Sequence, residues 1–263
     1  MDTFRDGLLV GKVAFVAGGT SGINLGIAKR FAALGAKVAV CGRAPDKAKN
    51  GAGEIGGDAL GLSADVRDYG AIRGALETAH GELGKLDIVV SGAAGNFLAP
   101  ALGMSSNAFK TVVDIDLNGT FNVFRASHDL LNLPGASLIA ITAGQAVNAM
   151  ALQAHVCAAK AGINQLIRVL AIEWGPDVRV NGISPGPIAG TEGMKRLSPD
   201  PSYREAHEKR IPLKRWGEIS EVADCAAFLC SPAAGYVTGT ILDCDGGSQV
   251  GDASRMELAR GLT

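Results

Sequence analysis

Six short runs rich in β-branched residues recur along the chain: KVAFVAG (12–18), AKVAVCG (36–42), LDIVVSG (86–92), ASLIAIT (136–142), VRVNGIS (178–184) and TGTILDC (238–244). They are apolar without strict alternation, the pattern of strands buried on both faces of a parallel sheet. A parallel neighbour can be reached only by a long crossover, normally a helix. Segments of helical period fill the gaps: INLGIAKRFAALG, YGAIRGALETAH, the long NAFKTVVDIDLNGTFNVFRASHDLL and AAKAGINQLIRVLAIEW. With a further short strand at ALGLSAD (59–65), this β-α-β order predicts one α/β domain over 1–263, a three-layer doubly wound parallel sheet. The irregular exception is PGPIAGTEGMKRLSPDPSYREAHEKRIPL (185–213), with five prolines. A structureless insert of that length in a compact domain is usually functional, so a substrate lid is expected over about 190–213.

Composition narrows the class. Of 263 residues 47% are hydrophobic, and the net charge of −1 favours neither nucleic acid nor an anionic membrane surface. Cysteines 41, 157, 225, 230 and 244 form no CxxC pair and no metal-ligand spacing, so they are expected to be reduced core thiols, with no metal bound. No segment approaches the roughly 18 apolar residues of a membrane span. The C-terminal RGLT carries no recognisable peroxisomal address. A soluble, cytoplasmic protein is expected.

The first strand runs into AGGTSGINLGIAKRFA, which sets Gly18, Gly19 and Gly22 between a strand and a helix. There a phosphate meets free backbone N–H groups and the positive end of the helix dipole. The spacing nearly matches a dinucleotide fingerprint, except that Asn24 stands where a third glycine is expected for close helix–strand packing. The second strand ends in CGRAP, where Gly42 takes the place of the acid that would bind a ribose 2′-hydroxyl. Arg43 offers a guanidinium fork suited to a 2′-phosphate, which predicts NADP(H) over NAD(H), with an ordinary surface arginine as the alternative. Asp65, closing the third strand, would meet the adenine amino group or cap the next helix.

One further residue is out of place. In QAHVCAAKAG (153–162), Lys160 lies on an apolar helix face with no carboxylate within four residues. A snorkelling cation is the plain alternative, but an unpaired buried ammonium is costly, so a partner from elsewhere is expected.

Taken together, the glycine turn, SGAAG (91–95), the helix lysine, PGPI (185–188) and DGG (245–247) resemble the short-chain dehydrogenase/reductase family over about residues 10–248. The resemblance implies a Rossmann-like sheet of about seven parallel strands. It also implies a homotetramer or dimer joined through helices near 106–131 and 154–173. Cofactor contacts are implied for Gly18, Thr20, Ser21, Gly22 and Ile23 in the first turn and for Arg43, Asp65, Val66 and Ala93 at the next strand ends. Lys160, Pro185, Gly186, Ile188 and Thr191 complete that set. The family usually works with Asn, Ser, Tyr and Lys. In this chain the tyrosine position is Val156, the serine position Ala143 and the asparagine position Asp116, so lysine alone remains.

The departures themselves resemble one branch. GNF (95–97), SSNAFK (105–110), DID (114–116) and GPIAGTEG (186–193) look like the 2,4-dienoyl-CoA reductases, the peroxisomal type above all, in which an Asp–Lys pair is implicated. That resemblance implies catalytic roles for Lys160 and Asp116, and acyl-CoA contacts for Arg67, Phe97, Ser105, Asn107 and Arg196. Asp114 and Asp116 stand about 200° apart around a helix, so they cannot serve one site together. Asp114 shares a face with Lys110 and Asn118, while Asp116 shares one with Phe109, Val112, Val113, Gly119 and Thr120 and is expected to point inward. His155 and Cys157, flanking the tyrosine position, read as packing, with His155 a minor candidate proton donor. The expected reaction is NADPH-dependent reduction of a conjugated 2,4-dienoyl-CoA. Alternatives are a reductase of another enone or carbonyl compound, using water or Tyr203 as acid, and a catalytically silent NADP-binding protein.

Overall fold

Every residue of Val13–Ala17 and of Ile88–Ser91 is buried, as strands covered on both faces require. The computed structural model describes residues 4–197, 201–254 and 256. Its first half runs β1 (Val13–Ala17), α1 (Gly22–Ala33), β2 (Lys37–Gly42), α2 (Pro45–Ile55), β3 (Leu60–Ser63), α3 (Tyr69–Leu83) and β4 (Ile88–Ser91). Next, α4 (Ser106–Val113) passes through a π-helical turn at Asp114–Asn118 into α5 (Gly119–Ser127). The second half is β5 (Ala136–Ile141), α6 (Ala154–Trp174), β6 (Val178–Pro185), α7 (Glu192–Leu197), α8 (Pro201–Arg210), α9 (Ile219–Cys230) and β7 (Ile241–Cys244). All seven strands are parallel, in the order β3-β2-β1-β4-β5-β6-β7.

The period-two alternation of strand side chains divides the core into two layers. Phe15, Ala17 and Val89 face Leu76, Phe124 and Ile163, under α3, α5 and α6. Ala14, Val16 and Val90 face Ile27, Phe31 and Val222, under α1 and α9. Gly26 marks the closest approach of those two helices, because a Cβ there would lie 2.1 Å from Ile219 Cγ2. The strand order reverses between β1 and β4, and their carboxyl ends part to leave the crevice in which ligands of such sheets bind.

Several expectations are refined. The helix expected through 106–131 is broken in phase by the π turn, which leaves Phe109 38% exposed while Asp116 is fully buried. Sequence patterning does not mark α2, whose eleven residues include two glycines and few apolar side chains. It does carry a signal for α9, in the Glu218/Glu221 capping box ahead of Val222, Ala226 and Leu229. The expected lid region contains α7 and α8 rather than irregular chain. Among the described residues no helix is long and apolar enough to cross a membrane.

At the opposite end of the sheet Asp87 gathers the start of the fold. Its carboxylate accepts from Lys12 Nζ, Val13 N and Asn132 Nδ2, each at 2.9 Å. Replacing it leaves the buried Val13 N–H without an acceptor, at about 1–3 kcal/mol, and frees the exposed Lys12 and Asn132 side chains to water. Asp87→Ala should therefore lower the unfolding free energy by about 1–3 kcal/mol without weakening nucleotide binding. An unchanged urea midpoint would show that this contact does not hold the edge together.

Candidate active site

The glycine turn has the backbone an anion site needs. Gly18 and Gly22 take φ of +75° and +57°, the left-handed region that favours glycine. A Cβ on Gly18 would lie 2.6 Å from Ala93 N, so this turn packs directly on the one after β4. At Gly22 the same Cβ would meet nothing within 4 Å. Ser21 is extended and makes no side-chain cap bond, so the first N–H groups of α1, beside Thr20 and Ile23, are not covered by a cap from Ser21. Asn24 does more than occupy the third glycine position. Its Nδ2 donates to Gly92 O at 2.8 Å, and a Cβ on Gly92 would lie 2.2 Å from its Oδ1.

Gly42 is held free of a side chain by Thr20, whose Cγ2 would lie 2.7 Å from an added Cβ. Arg43 beside it is exposed. Asp65 does not cap α3; Asp68 does, accepting from Ala71 N at 3.0 Å. Asp65 is instead gripped by Arg67, whose Nη2 donates to Oδ2 at 2.6 Å and whose Nε donates to Oδ1 at 3.0 Å. That guanidinium holds the Asp65 carboxyl below its ordinary range, and Arg43 adds to the effect. The structure thus pairs a residue expected at the cofactor with one expected at the acyl-CoA. Val66 is buried, with its carbonyl taking Asn122 Nδ2 at 2.9 Å.

The partner that Lys160 requires is Asp116. Nζ lies 3.1 Å from Asp116 Oδ2 and donates to Ile141 O at 3.1 Å, with the two residues 6% and 0% exposed. Asp116 Oδ1 accepts from Gly95 N at 2.7 Å. Oδ2 receives no hydrogen bond of good geometry, so the lysine acts on it as a nearby charge and leaves acceptor capacity in the site. The π turn sets this acid in place. Gly119 N bonds to Asp114 O, five residues back, and Thr120 Oγ1 donates to Asp116 O at 2.7 Å. Asp114 faces the other way, paired with Lys110 and accepting from Asn118 Nδ2 at 2.9 Å.

Around this pair the usual hydroxyls are missing. Val156 is buried at the first turn of α6, and Ala143 sits after β5. His155, adjacent to Val156, is fully buried against Phe97, with ring centroids 4.2 Å apart. Burial pushes the His155 imidazole below its usual range, and the Asp116 charge partly counters that. Beside it runs a polar chain not evident from the sequence: Gln145 Nε2 donates to Gln153 Oε1, and Gln153 Nε2 to Asn96 Oδ1, each at 3.0 Å.

The remaining expected positions are less converged. Gly186 lets the chain pass Asp245, whose Cα would lie 2.6 Å from an added Cβ; Pro185 precedes it at the end of β6. Ile188 is buried and bridges to Gly217. The Thr191 hydroxyl donates to Ile188 O at 2.9 Å and accepts from Met194 N at 3.3 Å, a local cap. Ser105 likewise caps α4, accepting from Ala108 N at 3.1 Å, while Asn107 and Phe97 are exposed. The side chains of Arg196 and Tyr203 lie outside the described residues. Among the described residues no cluster of His, Cys, Asp or Glu could hold a metal ion.

Residues 17–249 match the family described as enoyl-(acyl carrier protein) reductase. The peroxisomal 2,4-dienoyl-CoA reductase, (3E)-enoyl-CoA-producing, of Pongo abelii is 43% identical, over 93% of this chain and 86% of its own. The corresponding protein of Saccharomyces cerevisiae is 40% identical, with the same shares covered. A Bacillus subtilis protein described as a probable 2,4-dienoyl-CoA reductase, (2E)-enoyl-CoA-producing, is 36% identical over 90% of this chain and 96% of its own. Among solved structures, a short-chain dehydrogenase of Bacillus anthracis superimposes with a TM-score of 0.80 at 36% identity, covering 90% and 96% of the two chains. A short-chain dehydrogenase/reductase of Serratia marcescens gives 0.85 at 30%, covering 92% and 99%.

Removing either member of a buried pair strands the other charge, at about 3–5 kcal/mol. Asp116→Ala and Lys160→Met should each cost about that much in urea unfolding, and the double variant should cost less than the sum. Strictly additive losses would mean that the two side chains do not act as a unit.

Proposed function

Because the chain belongs to the short-chain dehydrogenase/reductase family, we propose that it reduces a conjugated 2,4-dienoyl-CoA thioester with NADPH. One observation carries this reading: the buried Asp116–Lys160 pair stands where the family's phenol and hydroxyl are replaced by Val156 and Ala143. Ketone reduction makes a localised alkoxide that needs an acid placed on it. A dienoyl thioester instead gives a dienolate whose charge spreads to the thioester oxygen. That anion first needs hydrogen-bond donors and positive potential.

The residues present fit a dinucleotide. The Gly18–Gly22 turn offers open space at Gly22 and the N-terminus of α1 for the diphosphate. Arg43 suits a 2′-phosphate, since Thr20 forbids an acid at position 42. Lys160 would hold the ribose hydroxyls, and Pro185, Gly186, Ile188 and Thr191 would border the nicotinamide. When bound, the reduced nicotinamide supplies the hydride. Lys160 supplies positive field near the thioester. The acceptor capacity of Asp116 Oδ2 would hold a water whose proton ends on substrate carbon, the hydroxide left behind taking a proton from solvent. The identity gradient among relatives favours protonation at C2, which gives the (3E) product.

Phe97, Ser105, Asn107 and Arg196 would border the acyl-CoA. Arg67 would reach its phosphates on exchanging them for Asp65. The stretch 190–213, with α7 and α8, would close over the acyl chain. Exposed Phe109, Phe121, Val169 and Ile172 on α4, α5 and α6 support a homotetramer or dimer through these helices, which sedimentation would read as a mass above 26.9 kDa. Five free cysteines suit a cytoplasmic setting, which fluorescence microscopy of a tagged chain in its own cells would test.

NADPH absorbance should fall with a 2,4-dienoyl-CoA and stay constant with a simple ketone. The reverse outcome points to the carbonyl reductase, and neither reaction, despite tight cofactor binding, to a silent protein. NADPH should outperform NADH, and Arg43→Ala should erase roughly 10-fold or more of that preference, the loss of a charge-assisted phosphate contact. Asp116→Asn should lower turnover about 10²-fold while NADPH binding holds; unchanged turnover removes this acid from the mechanism.

A further inference from the structure

His155 is more than filler between Asp116 and Phe97. The residue is 0% exposed, yet neither Nδ1 nor Nε2 has a hydrogen-bond partner among the described residues. Leaving buried polar atoms unpaired costs about 1–3 kcal/mol each, which a leucine or phenylalanine in the same space would avoid. The nearby amides do not serve it, because Gln145, Gln153 and Asn96 are joined to one another. Its neighbours place it at the reacting end of the crevice. On one side lies the Asp116 carboxylate, close enough to act on its charge, and on the other the ring of Phe97. Phe97 is 39% exposed and belongs to a segment without regular secondary structure, and the role proposed below requires its ring to turn aside from the imidazole.

We infer that His155 donates a hydrogen bond from its neutral imidazole to the thioester carbonyl of the substrate, in the role left open by Val156 and Ala143. The inference rests on the reading that a dienoyl thioester is the substrate. Lys160 donates to Ile141 O, lies beside Asp116 and is assigned to the cofactor ribose, so the thioester oxygen calls for a donor from another residue. A donor on that oxygen strengthens as charge gathers there and so acts on the transition state more than on the bound substrate. It moves no proton, which makes it independent of the water beside Asp116. Titratable and charged groups around the ring are Asp116 and, across it, Lys160.

The test compares the unmodified protein with His155→Leu, His155→Phe and His155→Gln. With a 2,4-dienoyl-CoA and NADPH, the leucine and phenylalanine variants should lose about 10²-fold in kcat. His155→Gln, which keeps an N–H donor, should stay within about tenfold of the unmodified protein, and NADPH binding should hold in all three. The second measurement uses oxidised NADP, with which no reduction occurs. A hydrogen bond to the carbonyl polarises the conjugated thioester, so the ultraviolet band of bound dienoyl-CoA should move to longer wavelength. That shift should persist in His155→Gln and vanish in the two apolar variants. A merely structural histidine would leave it unchanged. Should His155→Leu fail to fold, His155→Phe carries the comparison, since its ring fills the same space. Full turnover and an unchanged shift in the apolar variants overturn the donor role, as does a glutamine variant no better than leucine. Absence of turnover and of any shift in the unmodified protein overturns the dienoyl-CoA reading, and this inference with it.

Discussion

An ammonium 3.1 Å from a carboxylate, both almost withdrawn from water, ties the two long helices to the ends of two strands. Lys160 comes from α6 and also holds the carbonyl that ends β5; Asp116 comes from the π turn and also holds the N–H of Gly95 after β4. Neither charge is tolerable there alone. The pair therefore fixes the relative height of α4–α5 and α6 against the sheet, and with it the floor of the crevice. The wide turn at Asp114–Asn118 carries Asp116, while Asp114, two residues earlier, pairs with Lys110 on the other face.

A site built this way is rich in charge and poor in neutral donors. The carboxylate keeps acceptor capacity on one oxygen, the lysine donates to Ile141 O beside it, and the family's hydroxyl positions hold Val156 and Ala143. Such surroundings suit an anion that is spread over several atoms better than one confined to a single oxygen. Hydrophobic neighbours on the lysine face also keep the local dielectric low, which strengthens each remaining electrostatic contact.

The strands were legible because burial on both faces leaves runs of apolar residues that no helix face reproduces; β1 and β4 are the clearest instances. The identity of the lysine's partner was legible only through family resemblance. Asp116 lies 44 positions earlier, and although its helical face marks it as inward, nothing in the spacing ties it to Lys160. Arg67 and Asp65 each suited a ligand when taken singly. Their spacing of two residues, which lets the arginine fold back onto the acid, is a local geometry that ligand logic overlooks. His155 was hidden for the opposite reason, because a histidine among apolar residues ordinarily packs, and only an inventory of its two nitrogens shows that it lacks partners.

Asn24 and Gly92 carry a consequence for descent rather than for chemistry. The amide of one occupies the volume that any side chain on the other would need, and it also donates to that residue's carbonyl. A glycine at 24 would remove the tie between the phosphate turn and the β4 turn, while any larger residue at 92 would collide with the amide in place. The two positions, 68 residues apart, thus behave as one heritable character. From this arrangement a larger residue fits at 92 only once the side chain at 24 has been shortened or moved. The order in which the two positions can change is therefore constrained by that one contact.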